Sequence, residues 1–415
     1  MSITILGYIA ILITIFALLK RDKYILLYAT IFFSGFTGSS VVNVAGVSIQ
    51  PSYYFFIMFM LFSITRFYKF RLPKYYLFFL IYIVINSFFP IFLSRNQIWL
   101  MQQSGEYGYL TYSSSNLIHA GYMIFMFVLF TYLYNIKDDA MHTKIVKWYK
   151  YGLFGFIIVI LYQLIAFQFN LPFDELFRQG VHGNVQGTRL YGPCGEASMM
   201  CYYLAPSLLF LWIYKNKTID LVFWVIGMIL GVMSYSSTFL IGAAISLVII
   251  FIHFFRRINK KFKLQFIIGI MFIGLFAVIF ISLNNEMITK LITGFNDKLN
   301  LANQSGIERS ESFYNMIKIG LEHPFGVGFG SARSKDLFST WGCNIGIIGL
   351  GIVFIGIIYI YIYIYQRKRQ LSFINSCPFY LVVILMMISV PEPYAMFIQI
   401  LLYFTITKNK CLKQN

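Results

Sequence analysis

The sequence predicts an all-α fold, a polytopic bundle of membrane-spanning helices. Three observations carry that expectation. Hydrophobic residues make up 59% of the 415-residue chain, against roughly 45–50% in soluble globular domains, and the mean hydropathy is +0.72. The excess is gathered into nearly uncharged blocks of about 16–20 residues, the length a bilayer demands of a helix. The alternating segments of about 10 residues that mark a membrane β-barrel do not occur.

In chain order the apolar blocks fall near 3–19, 24–41, 50–65, 75–94, 116–135, 151–170, 199–214, 220–235, 237–255, 264–283, 344–365, 374–390 and 393–407. They make 13 candidate spans, and the tight hairpins 220–255 and 374–407 set the count at about 12–14. The chain runs into its first block without a basic leader or a cleavage site, which reads as a retained span. There is no internal repeat and no pair of broken helices of the transporter kind, so 1–415 reads as a single membrane domain.

Charge gives the orientation. A net charge of +18 would suit a nucleic-acid partner, but the lysines and arginines sit in short clusters between apolar blocks rather than on one face or tail. Of the 33, 24 fall in one alternating set of loops, beginning at Lys20 and ending at Lys413, and 9 in the other. Positively charged loops stay cytoplasmic, so the N-terminus is expected outside and the C-terminus in the cytoplasm. No nucleic-acid partner is expected.

The outer side then holds the only long loops, 171–198 and 284–343, with a shorter one at 95–115. The cytoplasmic loops are short and contain no GxxxxGK[ST] or GxGxxG motif, which argues against an ATP-driven pump. The five cysteines and five histidines show no metal-ligand spacing, and no cofactor is expected. Cys194 and Cys343 both lie in outer loops, which leaves a disulfide open to them. Trp99, Tyr107, Tyr109 and Trp341 read as an interfacial aromatic belt.

Charged residues concentrate in two outer segments. One runs from Arg178 through His182, Arg189, Tyr191 and Gly192 to Glu196 and Ser198; the other holds Glu308, Arg309 and Glu311, then His323-Pro324-Phe-Gly326-Val-Gly328-Phe-Gly330 and Arg333. Arginine donates in pairs to phosphate oxygens and stays charged in any environment. Four arginines on the side that positive charge avoids suggest an anionic, lipid-linked ligand; the competing reading is solvated loop charge. Neighbouring glycines would let backbone approach such a ligand. Glu196, seven positions after Arg189, either pairs with it, caps the following helix, or accepts a proton from a sugar hydroxyl. His323 before Pro324 suits a turn.

Arg189-Leu-Tyr-Gly192 followed by Glu196-Ala-Ser198 resembles a segment of bacterial O-antigen and exopolysaccharide polymerases of the Wzy type, with Ala197 where that family usually has proline. Arg309, Gly320 and the run Glu322 to Gly330 resemble their second arginine loop, and Ser234-Tyr235-Ser236-Ser237-Thr238 resembles their short serine–threonine element. The similarity covers about residues 150–365. It implies the architecture of the GT-C-like polymerase and ligase superfamily in a bacterial inner membrane. It also implies a glycosyltransferase that joins repeat units carried on undecaprenyl diphosphate by inverting transfer, without nucleotide sugar or metal. Donor and acceptor lipid-linked glycans, membrane lipid and a chain-length regulator protein would be its partners. On this reading Glu196, Arg189 and Arg309 are candidate catalytic residues, and Arg178, His182, Tyr191, Gly192, His323, Gly328 and Arg333 candidate substrate contacts. An O-antigen ligase, a flippase for the same lipid and a non-catalytic scaffold remain as alternatives. Ligases usually carry a histidine near the end of the large loop, and the stretch Phe338–Asn344 has none.

The orientation is testable with single cysteines read by an impermeant thiol reagent. Labels at positions Ser104 and Asn303 should react from outside the inner membrane and one at Asn259 should not.

Overall fold

The computed structural model describes residues 2–44, 47–63, 74–93, 97–103, 105–136, 138–177, 189–257, 304–366 and 373–407. The candidate span 264–283 lies outside them. The described residues are mostly helical. Four stretches, Lys74–Leu93, Ser114–Tyr134, Asp139–Phe169 and Ser237–Phe255, are long and apolar enough to cross a membrane, and eight shorter apolar helices accompany them.

In chain order the helices are α1 (Ile5–Leu19), α2 (Tyr24–Phe32), α3 (Pro51–Ser63), α4 (Lys74–Asn86), α5 (Phe89–Leu93), α6 (Ser114–Tyr134), α7 (Asp139–Phe169), α8 (Asp174–Phe177), α9 (Ala197–Ile213), α10 (Thr218–Met233) and α11 (Ser237–Arg257). After these come α12 (Gln304–Glu322), α13 (Leu337–Asn344), α14 (Gly346–Gln366), α15 (Cys377–Ser389) and α16 (Met396–Ile406). The fold is not wholly α. Strands β1 (Ser2–Ile3), β2 (Val42–Val44) and β3 (Val47–Ile49) form one antiparallel sheet in that order, and β4 (Trp99–Met101) pairs with β5 (Tyr107–Tyr109) in another. The first sheet joins the segment before α1 to the connection between α2 and α3, and the second lies between α5 and α6.

The bundle is arranged around α9 and α16. From Met200 to Leu211, and from Met396 to Thr405, every residue is buried. Such helices, apolar on every face, belong in the middle of a bundle. Around α9 pack α7, α10, α11 and α15, and around α16 pack α2, α6, α14 and α15. The peripheral helices are apolar on their outer faces as well: Leu12 and Leu19 of α1 and Ile355 of α14 are 65%, 78% and 61% exposed. Aliphatic surface of that extent suits lipid rather than water.

Several helices differ in length from their apolar blocks. Block 24–41 is helical only to Phe32; a 3₁₀ turn Phe33–Gly35 follows, and the small polar run Thr37–Ser40 leaves the helix to hydrogen-bond across the bundle. Block 75–94 divides at Ser87, whose hydroxyl donates to the Val84 carbonyl, before Pro90. Conversely, α7 begins at Asp139, well before its apolar block, because the basic stretch is amphipathic. Met141, Ile145 and Tyr149 face inward while Lys144 and Lys147 stay exposed, and Asp138 caps the start by accepting from Ala140 N–H at 2.9 Å. The loop 284–343 also contains two helices, α12 and α13.

The two ends of the bundle are distinct. At one end the segments assigned to outer loops meet one another: β1 with β2, Gly38 N–H with Pro193 C=O, Arg333 N–H with Met101 C=O, and Gln102 with Ala332 in an isolated bridge. The opposite end holds a buried ion pair. Lys150 Nζ lies 2.8 Å from Asp220 Oδ2, with side-chain exposures of 8% and 4%, and also donates to Tyr214 C=O and Asn216 Oδ1. Lys150, counted from the sequence as a loop charge, is thus an internal tie between α7 and α10.

Removing one member of a buried pair costs about 3–5 kcal/mol. Lys150→Met should lower the thermal midpoint of the detergent-solubilised protein accordingly, and adding Asp220→Leu should recover part of the loss. Equal melting of Lys150→Met and wild type would show that the pair holds nothing together.

Candidate functional site

The loop-rich end contains a polar pocket of about 40 Å³ lined by Gln103, His119, Arg333, Thr340, Trp341, Pro391, Glu392, Pro393 and Tyr394. At its centre Arg333 Nη2 lies 2.5 Å from Glu392 Oε1. The pair is only partly covered, with side-chain exposures of 39% and 28%. Each member arrives by a separate piece of irregular backbone.

Arg333 ends the run Gly326-Val-Gly328-Phe-Gly330-Ser-Ala. Its glycines have φ of 84°, 124° and 80°, the left-handed region that glycine alone enters freely. They also let backbone meet backbone. A Cβ on Gly326 would stand 2.2 Å from Asn344 O, and one on Gly328 2.3 Å from the Pro90 ring. The room read from the sequence as space for a ligand is therefore filled by the protein itself, and Gly328 donates its N–H to Asn344 C=O. Asparagine side chains hold the coil: Asn86 donates to Phe325 C=O, Asn116 to Phe329 C=O and Ser331 Oγ, and Asn344 both donates to and accepts from the Ala332 backbone at 2.8 Å. Below Arg333, Asp336 caps α13, accepting from the Ser339 N–H and hydroxyl; burial pushes its carboxyl upward against those bonds and the nearby Arg309 guanidinium.

Glu392 sits in the turn Pro391–Tyr394 between α15 and α16. Tyr202 of α9 donates to the Glu392 carbonyl at 3.1 Å and Tyr53 of α3 to the Tyr394 carbonyl at 2.5 Å, so the backbone is fastened on both sides of the carboxylate. His119 of α6 stacks obliquely on Tyr394, ring centroids 5.1 Å apart, and its Nδ1 lies 2.8 Å from Ser115 C=O. A carbonyl only accepts, so that bond puts the proton on Nδ1 and leaves Nε2 of the neutral ring as an acceptor.

The other expected site residues are dispersed. Arg189 donates to the carbonyl of Tyr235, a residue with φ of 51° in the turn between α10 and α11, so the two resemblance segments meet there. Among the described residues no hydrogen bond or ion pair joins Arg189 to Glu196. Glu196 is the exposed N-cap residue of α9 and accepts from the Ser198 hydroxyl at 2.7 Å. Tyr191 and Gly192 are buried and structural in their contacts: both N–H groups donate to Gln163 Oε1, and the Tyr191 hydroxyl donates to Asp174. Arg309 is exposed on α12, and His323, half-buried, closes the turn after it. Arg178 and His182 lie outside the described residues. Cys194 and Cys343 are buried in separate hydrophobic clusters and no disulfide joins them.

Trp341, read from the sequence as an interfacial residue, is 7% exposed and forms a wall between the pocket and a second cavity. That cavity, about 520 Å³, is an apolar groove bounded by α4, α6, α14, α15 and α16. It starts at Trp341 and Pro393, which it shares with the polar pocket, and reaches Lys74, Tyr134 and Ile406 at the opposite end of the bundle. Glu392 and His119 were missed in the sequence. The signal available was a carboxylate between two prolines in a short turn, and a histidine in the first turns of a mainly apolar block.

No protein-family model, curated protein or solved structure matches this chain.

The glycine coil is directly testable. A left-handed conformation costs a non-glycine residue about 1–2 kcal/mol, and a Cβ at Gly326 also forces a backbone shift. Gly326→Ala should melt lower by more than that amount, while Gly121→Ala, which meets open space on α6, should melt at or above wild type.

Proposed function

We propose that the protein is a lipid-linked oligosaccharide polymerase. It would transfer a growing glycan from undecaprenyl diphosphate to a second lipid-linked repeat unit at the outer face of a bacterial inner membrane. One observation carries the reading: the arginine-bearing pocket and the apolar groove share Trp341 and Pro393. A polyprenyl diphosphate has the matching shape, a long apolar chain ending in an anionic head. With its chain in the groove, its diphosphate emerges at Arg333, and the attached sugar lies among Gln103, His119 and Tyr394. As the glycosidic bond breaks, negative charge grows on the leaving diphosphate. Guanidinium groups at that point stabilise the transition state more than the ground state. Arg189 and Arg309, on the same end of the bundle, are the further candidates for holding donor or acceptor.

A ligase reading gains support from His119. It brings an imidazole to Arg333 from α6, although the end of the large loop has no histidine. Polymerase and ligase differ in product: the first makes a ladder of lengthening chains, the second a single transfer to a different acceptor lipid.

The test is complementation of a deletion of this gene in its own host, with surface polysaccharide resolved on a gel. Wild type should restore a ladder. Arg333→Ala and Arg189→Ala should remove it while the protein stays in the membrane, and lysine should rescue poorly at either position because a point charge does not reproduce a paired fork. A full ladder from Arg333→Ala would remove this pocket from the reaction.

A further inference from the structure

We infer that Glu392 occupies, on Arg333, the seat of the substrate's phosphate, and that once displaced it is the base that takes the acceptor's proton. This rests on the lipid-diphosphate reading above. Four features of the pair support it. First, it is made through one oxygen and one nitrogen, Glu392 Oε1 and Arg333 Nη2. Among the described residues no hydrogen bond engages Glu392 Oε2 or the other guanidinium nitrogens, so donors suited to a second anion stand ready. Second, both side chains are partly open to the pocket, and partly exposed pairs of this kind contribute little to stability. A diphosphate, carrying more charge and able to engage the fork in pairs, outcompetes a single carboxylate. Third, the backbones are fastened independently of the pair, Arg333 by its N–H to Met101 C=O and Glu392 by the Tyr202 and Tyr53 bonds on either side. Only the side chains exchange. Fourth, the pocket is about 40 Å³ with the pair closed, so a phosphate gains the seat by moving the carboxylate aside.

The displaced carboxylate stays on the same turn, where it would serve the acceptor hydroxyl on the sugar face opposite the leaving diphosphate. In the transfer step the acceptor hydroxyl oxygen bonds to the donor's anomeric carbon as the carbon–oxygen bond to diphosphate breaks. The bonding pair leaves with the diphosphate, held by Arg333, and the hydroxyl proton passes to Glu392. Arrival of substrate thus uncovers the base, and the empty enzyme keeps its base neutralised. Glu196 has no comparable arrangement among the described residues: it is exposed and its carboxylate accepts from Ser198.

The exchange makes two effects of one substitution run in opposite directions. In nanodiscs, Glu392→Gln should bind glycan-free undecaprenyl diphosphate about two- to fivefold more tightly than wild type, the range a released, partly exposed pair supplies. In the complemented host the same variant should slow chain extension by about 10²–10⁴-fold, the usual range for general-base help. The tightening should vanish in an Arg333→Ala background, where there is no seat to vacate. Glu392→Asp keeps the carboxylate and should extend chains better than Glu392→Gln at equal membrane abundance, which separates chemistry from folding. Weaker or unchanged diphosphate binding by Glu392→Gln, a wild-type ladder from it, or no advantage of Asp over Gln overturns this inference alone. Failure of the wild-type protein to bind undecaprenyl diphosphate overturns the lipid-diphosphate reading itself.

Discussion

Irregular backbone sunk among apolar helices must find its hydrogen bonds inside the protein, because lipid offers none. The loop-rich end of this molecule is built around that constraint. The coil 323–333 and the turn 189–196 both enter the bundle without helical bonding of their own. Four amide side chains supply what the backbone lacks: Asn86, Asn116 and Asn344 for the coil and Gln163 for the turn. Asn86, Asn116 and Asn344 stand at or near the ends of their helices and Gln163 in the apolar half of α7, where the irregular backbone passes.

These ties position the chemistry. The glycine coil, closed by its own backbone contacts, delivers Arg333 to one side of the pocket, and the Pro391–Tyr394 turn, gripped by tyrosines of α3 and α9, delivers Glu392 to the other. Neither depends on the ion pair itself. The exchange inferred above would leave the scaffold in place, and preorganisation of that kind lets a site stabilise charge without moving at the moment of reaction. The apolar groove beside it extends from the pocket to the far end of the bundle. The two cavities together are amphipathic in the same order as a lipid carrying an anionic head.

The buried helices α9 and α16 determine where this occurs. Buried along their length, they take the centre; the turn leading into α16 lines the pocket, and Tyr202 of α9 holds that turn through the Glu392 carbonyl. At the opposite end, Lys150 and Asp220 fasten α7 to α10 in a dry environment, so the two ends have different jobs: one is closed by charge, the other open with charge to offer.

By itself the sequence determined the class of the protein. Block length and hydropathy are one-dimensional quantities, so the apolar helices and the polar segments between them were legible. Arg333 stood out in the sequence as one of the arginines in a polar segment. What only the tertiary structure decided was partnership. Glu392 is 59 positions from Arg333 in the chain, and His119 lies farther still, on α6; no local pattern links them. The glycines near Arg333 and the Tyr191–Gly192 turn looked like ligand contacts because a glycine's open space is the same in sequence whether a ligand or the protein's own backbone fills it. Which of the two does so depends on packing between distant helices, and that exists only once the bundle has closed.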